Sequence, residues 1–371
     1  VSTWIDYLVW TVQNLLFPLV IPVLLLTGVI LAVWIERRGA AFIQDRVGPN
    51  RVHVFGLRNA GLMQPIADAL KLLVKEEFMP AQADRFLFYL APAVSMVVAL
   101  LTYMVIPFGD VLFIGKYEIP LQVADLNVGL LFIFAVASLG VYGIVLGGWS
   151  PDNKYALLGG LRSSAQMISY EIAMGLSVVG ILIVFESVRL NDIVRMQGEL
   201  LFGFLPRWGI VVQPLGFLLF FIASLAETNR IPFDLPEAEA EIVAGYHLEY
   251  SSFKFSMFFM AEYVNMMVAS GFLVSLFLGG WQIPWLPTEV LLGWVRPLGW
   301  VGPLLTALLQ VGTFVVKLWA VMWVFVWLRW TLPRFRYDQL MGLGWRVMLP
   351  LALVNLTVTS IVPFVLGVYG R

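Results

Sequence analysis

Four ionisable residues in this sequence stand inside or at the edge of long apolar runs: Glu171, Glu227, Glu262 and Lys317. A charge at the centre of a bilayer costs about 3 kcal/mol on insertion scales, so such residues are candidates for proton or ion chemistry. Tyr170 precedes Glu171 and Tyr263 follows Glu262. A phenol beside a carboxyl can extend a hydrogen-bonded chain along which a proton moves. The plainer alternative is a structural hydrogen bond between helices, which explains one acid more easily than three. Lys317 has no carboxylate in its own run, so a counter-ion must come from another helix. It is a further candidate for the proton path.

A second group lies in polar connections. The segment from Glu227 to Glu241 carries Arg230, Asp234, Glu237, Glu239 and Glu241, interrupted by Pro232, Phe233 and Pro236. The last three acids recur at every second residue, and crowded carboxylates raise one another's pKa. Proton uptake near neutral pH and an ordinary solvated acidic loop are both compatible with this pattern. Upstream, Leu62, Ile66, Leu70, Leu73 and Val74 form one stripe, and Gln64, Asp68, Lys71 and Lys75 another. That spacing predicts an amphipathic helix over 62–74, either lying on a membrane surface or wedged against a partner with Asp68 turned inward.

The elements that must position these residues follow from composition. The chain has 371 residues, 60% of them hydrophobic and 13% charged, about half the charged share of a soluble domain. It is therefore an integral membrane protein. Eight runs are long enough to span as helices: Leu15–Ile35, Phe86–Phe108, Leu126–Trp149, Ser163–Phe185, Gly209–Ala226, Ser256–Trp281, Val301–Leu328 and Val347–Tyr369. None alternates as a barrel strand would. The expected fold is all-α, with eight transmembrane helices plus the amphipathic helix, in one membrane domain over 1–371. Trp4, Tyr7 and Trp10 read as interface anchors, and no basic leader precedes them.

Connections one, three, five and seven hold 16 of the 23 Lys and Arg, which puts them in the cytoplasm and the N-terminus outside. The long connections 36–85 and 228–255 are then docking surfaces for soluble partners. The net charge of −1 gives no grip on nucleic acid. With no Cys, the chain cannot itself hold a thiolate iron–sulfur cluster. His53 and His247 both fall outside the spans, which argues against haem. A retinal pump would use a lysine such as Lys317, but eight spans with long connections fit it poorly. A secondary transporter would often show an internal repeat, and none is visible.

Specific motifs narrow the choice. Glu36-Arg37-Arg38, Arg46-Val-Gly-Pro-Asn50, Gln64-Pro-Ile-Ala-Asp68, Ser169-Tyr170-Glu171, Ala226 through Glu239, Met260-Ala-Glu-Tyr263 and Pro333-Arg-Phe-Arg336 occur in this order. The chain resembles a family of membrane subunits of bacterial respiratory complex I, equivalent to mitochondrial NADH dehydrogenase subunit 1, from about span one to the end. The resemblance implies a membrane subunit of a proton-pumping NADH:quinone oxidoreductase in the bacterial inner membrane. It implies a quinone chamber involving Glu36, Arg37, Arg46, Asp68, Arg230, Asp234, Glu237, Glu239 and Glu241. The proton path would start at Tyr170, Glu171, Glu227 and Glu262. Quinone is the implied substrate, and flavin, haem and iron–sulfur clusters would not be bound here. The implied partners are peripheral quinone-site and iron–sulfur subunits, neighbouring membrane-arm subunits and lipids. Two departures stand out. Span three reads Ala137-Ser138-Leu139-Gly140 where some members carry an acid, and 58–61 looks like a small insertion. The anchor of an ion-pumping hydrogenase and a stand-alone ion transporter are the alternatives.

Overall fold

The computed structural model describes residues 11–53, 56, 60–114, 117–201, 203–235, 243–295 and 301–365. Glu237, Glu239, Glu241, Arg58, Trp4, Tyr7 and Trp10 lie outside these residues. Among the described residues, seven helices are long and apolar enough to cross a membrane: α1 Val12–Ile43, α3 Arg85–Tyr103, α4 Gly129–Trp149, α5 Lys154–Phe185, α7 Ser252–Phe277, α8 Val301–Thr331 and α9 Tyr337–Ile361. The amphipathic helix forms as α2, Gln64–Val74. A shorter apolar helix, α6 Pro214–Glu227, occupies the place of the fifth span. The protein is an all-α, multi-pass membrane protein.

The differences from the expected boundaries have local causes. Span five is broken because Pro214 disfavours helical geometry in the residue before it, and Gln213 sits at φ −132°, ψ 62° between Gly209–Val212 and α6. The Gln213 side chain fills the break, accepting from Asn355 Nδ2 (3.0 Å) and donating to Thr359 Oγ1 (2.5 Å). Buried backbone near a helix break is tolerated when such groups surround it. Spans one and four run past their apolar stretches, to Ile43 and back to Lys154, because Glu, Arg and Lys are good helix formers. Glu36 and Arg37 therefore stand on a helix rather than in a connection.

Helix starts follow capping chemistry. Asp84 Oδ1 accepts the Leu87 amide at 3.1 Å, and Asn153 Oδ1 accepts the Tyr155 amide at 2.9 Å. Helices α3 and α4 pack closely, and a Cβ on Gly143 would collide with Ser95 Oγ. Gly148 meets Ala156 O in the same way, at 2.6 Å from where its Cβ would be. Small residues allow this approach where no hydrophobic force drives helices together. Helix α7 is the most enclosed, with Val264, Leu273, Val274, Leu276 and Phe277 at most 1% exposed. Two short antiparallel pairings, Val111–Ile114 with Tyr117–Pro120 and Leu200–Leu201 with Leu205–Pro206, belong to connections between spans.

Candidate carboxylate path and groove

The connection after α6 turns sharply back into the bundle. Asn229 takes φ +51°, the Arg230 amide donates to Leu225 O (3.3 Å), and the Phe233 amide to Arg230 O (2.7 Å). Gln166 on α5 holds the turn from the other side, donating to Ala226 O at 2.7 Å and Phe233 O at 2.8 Å. The Tyr170 hydroxyl donates to Leu340 O at 2.8 Å, and its ring lies 5.5 Å from that of Phe233.

This turn delivers Arg230, 2% exposed, to the centre of a charged cluster. Its Nη1 is 3.1 Å from Glu36 Oε2 and its Nε 2.9 Å from Glu262 Oε1. The guanidinium lies 4.4 Å over the Tyr263 ring, and the Tyr263 hydroxyl donates to Glu36 Oε2 at 2.8 Å. Arg329, at the end of α8, pairs with the other oxygen of Glu36. Asp234 pairs with Arg334 Nη2 at 2.9 Å. Three acids thus face three guanidiniums, so the cluster is formally neutral, with Arg230 and the acids withdrawn from water and Arg329 and Arg334 partly exposed at its edge. Buried ion pairs are poor devices for stability alone, since desolvation offsets most of the attraction.

Beside the cluster lies a cavity of about 70 Å³. Its lining includes the polar Glu227, Glu262, Asn265, Asn229, Ser95, Thr102 and Thr228, and the apolar Phe134, Phe220, Phe258 and Phe272. A buried water needs roughly 10–15 Å³ and two or more polar partners, so a few waters fit between Glu227 and Glu262. Ser138 on α4 donates to Glu171 Oε1.

The predicted residues of the first connection form a second group. Arg37 Nη1 and Asp68 Oδ2 are 2.5 Å apart, and Gln64 Nε2 donates to Asp68 Oδ1 at 3.1 Å. Asp68 is turned inward, as one reading of the stripe required. Arg37, Arg46, Asn50, Arg51 and Gln64 line an open groove of about 490 Å³. Helix α2 is fastened to the bundle by Ser252 Oγ, which is within 3.0 Å of Leu72 O and 2.9 Å of Lys75 O. Its Leu70 and Leu73 remain exposed.

Lys317 is not brought to any of these carboxylates. Its Nζ donates to the backbone carbonyls of Leu278 (2.7 Å), Gly280 (3.0 Å) and Gln282 (2.7 Å), with the Trp208 ring 4.6 Å away. These carbonyls follow the C-terminus of α7, where a cation is favoured by the helix dipole. Lys317→Met is expected to cost about 2–4 kcal/mol by leaving buried carbonyls unpaired, read as a lowered midpoint of thermal unfolding.

His247, in the turn Gly245–His247, packs edge-on against Tyr246, Phe255 and Phe259. Burial pushes its imidazole down from 6.5 to about 4. The unfolded chain binds the proton more readily in that window, so stability from this site is full above pH 6.5 and falls as pH drops toward 4. The loss reaches about 3 kcal/mol. Limited proteolysis of the 243–251 segment should accelerate between pH 7.5 and 5, and His247→Phe should flatten that dependence.

Sequence reasoning did not single out Arg329, Arg334, Gln166 or Ser138. Arg329 counted only toward orientation and Arg334 toward orientation and one motif, although both lie just beyond an apolar span, where an arginine can fold back to a buried acid.

Comparison with known proteins bears on most of the chain. The family profile described as NADH dehydrogenase matches residues 16–360. The chain belongs to the NADH dehydrogenase family. Among relatives of this family, an NADH-quinone oxidoreductase subunit of Geobacter metallireducens is 52% identical over 328 residues, covering 88% of this chain and 89% of the relative. An NADH-quinone oxidoreductase subunit of Thermomicrobium roseum is 51% identical over 332 residues, with 89% of each chain covered. A third such subunit, from Bdellovibrio bacteriovorus, is 45% identical over 369 residues, covering 93% of this chain and 94% of the relative.

Proposed function

We propose that this chain is the membrane subunit of an NADH:quinone oxidoreductase that forms the quinone-access chamber and begins the path coupling quinone reduction to proton movement. The observation that carries the reading is the buried ladder Arg329–Glu36–Arg230–Glu262, which ends at the cavity holding Glu227. Electron chemistry belongs to partner chains: the Cys-free sequence suits quinone access and proton handling without flavin, haem or iron–sulfur centres of its own.

In this reading the groove beside Arg37, Arg46 and Asp68 receives quinone between α1 and α2. Quinone reduction takes up two electrons and two protons. The charge that appears transiently alters the field on the acidic turn at Arg230 and Asp234 and on the segment bearing Glu237, Glu239 and Glu241. Arg230 is shared between Glu36 and Glu262, so a proton gained by either acid leaves the guanidinium to the other. That supplies two charge states of one cluster, and coupling follows if quinone states interact differently with them. Protons then pass by way of the cavity to Glu227 and Glu171, with Tyr170 beside them, toward neighbouring membrane-arm subunits.

Residues 36–85 and 228–255 serve in this account as the docking surface for peripheral quinone-site and iron–sulfur subunits. The chain is one membrane domain surrounded by lipid in the bacterial inner membrane, with the N-terminus outside and the basic connections in the cytoplasm. The names of its relatives speak against a hydrogenase anchor or a stand-alone transporter.

Purification of the tagged chain from its native membrane tests the assignment. Co-purifying iron–sulfur and quinone-site chains, with NADH oxidation sensitive to quinone-site inhibitors, are expected. Hydrogen evolution by the purified assembly, or ion transport by the single chain in liposomes, would contradict it. Within the assembly, Arg37→Ala is expected to raise the KM for quinone roughly threefold to tenfold with little change in kcat. The effect is modest because the Arg37–Asp68 pair is half-exposed. Unchanged quinone kinetics and inhibitor sensitivity would remove Arg37 from the chamber.

A further inference from the structure

The far end of α2 is gripped by two residues at the start of α7. Ser252 Oγ lies 3.0 Å from Leu72 O and 2.9 Å from Lys75 O. Carbonyls at the end of a helix have no partner within it, so the hydroxyl is placed to donate to either. Ser252 takes φ +59°, a left-handed conformation that a non-glycine residue keeps only where its surroundings fix it. Two residues on, Lys254 is 4% exposed. Its Nζ lies 3.3 Å from Glu77 Oε2, just past the end of α2, 3.7 Å from the centre of the Tyr89 ring and 5.0 Å from that of Phe88. Tyr250 stacks on Phe88 with ring centroids 4.2 Å apart, and the Tyr89 hydroxyl donates to Glu77 Oε2 at 3.4 Å. A buried ammonium is costly unless it is paired, and here two ring faces and one carboxylate meet it.

The near end of α2 is held differently. There Asp68 reaches Arg37 on α1 through a pair whose side chains are 27% and 44% exposed. Pairs so open to solvent contribute little. Arg37 and Gln64 also line the open groove on this side. Helix α2 is thus anchored firmly to α7 and α3 and loosely to α1.

We propose that Ser252 and Lys254 are positioning residues for quinone access: they fix the far end of α2 as a hinge and thereby set the gap between α1 and α2. The inference rests on the reading that quinone enters between those helices. Neither residue lines the groove, so both act through α2. With the hinge in place, only the α1 side gives way as an isoprenoid tail passes, and the gap returns to one resting width. Without it, α2 samples positions in which the gap is closed or misaligned. The fraction of enzyme able to admit a tail then falls, and the apparent affinity falls with it. A headgroup with little tail needs no such alignment along the length of the gap.

The test uses the assembled enzyme in proteoliposomes, with a long-tailed quinone and a short-tailed analogue of the same headgroup. Lys254→Met keeps the apolar stem and removes the charge. It should lower kcat/KM for the long-tailed quinone about threefold to tenfold, and for the short-tailed analogue by less than about twofold. Lys254→Arg, which keeps a cation beside the rings, should restore most of the loss. Ser252→Gly removes the hydroxyl and relieves the positive φ, and should shift the ratio of the two quinones in the same direction as Lys254→Met. Equal losses for the two quinones would mean general structural damage and overturn the hinge. Unchanged kinetics for both, while Arg37→Ala raises the KM for quinone, would also overturn it and leave the chamber standing. Unchanged kinetics in Arg37→Ala as well would remove the chamber placement, and the hinge with it. If Lys254→Met fails to assemble, Ser252→Gly and Glu77→Gln are read by the same ratio.

Discussion

Replacing Arg230 with Met is expected to lower the stability of the chain by about 3–5 kcal/mol, the largest effect of any single substitution in the cluster. Arg230 neutralises Glu36 and Glu262 at once, and neither acid is near bulk water. Glu36 would keep Arg329 and the Tyr263 hydroxyl, whereas Glu262 would lose the partner described for it. The double substitution Arg230→Met with Glu262→Gln should therefore recover a substantial part of the loss, because the orphaned charge is gone. Thermal unfolding of the assembled enzyme, read as a double-mutant cycle, measures the coupling. Additive losses would mean that the Arg230–Glu262 pair contributes nothing.

Glu227→Gln is expected to leave assembly intact and to cut coupled quinone reduction at least tenfold. Gln is nearly isosteric and needs no counter-charge, so the fold has no reason to suffer. What disappears is the only carboxyl that joins Glu262 in lining the described cavity. Positioned acid–base groups contribute about 10²–10⁴-fold to rates that depend on proton transfer, and a detour through water can recover part of this. A loss of tenfold or more is therefore the lower bound of the expectation. Loss of assembly instead would make Glu227 a structural residue.

The fold was largely legible because the bilayer imposes a coarse rule. Apolar runs of sufficient length had to be helices, and the stripe at Leu62–Val74 had to lie along a surface. Hydropathy failed where another force set the boundary. The helix carrying Glu36 runs on through good helix formers, and the burial of Glu36 depends on Arg230 and Arg329, which no local window contains. The break at Gln213 depends on Pro214 together with Asn355 and Thr359, which are more than 140 residues away along the chain.

The acids of the candidate site were visible because a carboxyl in an apolar run is conspicuous. Their partners were not, since an arginine at a span end looks the same whether it faces water or folds back, as Arg329 does. Ser138 was hidden for a different reason. A hydroxyl in a membrane helix is ordinary, and only the proximity of Glu171 gives it meaning. Lys317 shows the converse: an intramembrane lysine is conspicuous, yet its ammonium is spent on three backbone carbonyls after α7.

The measurement that bears most directly on the central claim is NADH-driven proton translocation by the Glu227→Gln enzyme, reconstituted in vesicles beside the unmodified enzyme. The carboxylate path predicts that translocation collapses with quinone reduction in the variant although all partner chains are present. A fully assembled Glu227→Gln enzyme that reduces quinone and translocates protons at the unmodified rate would contradict it.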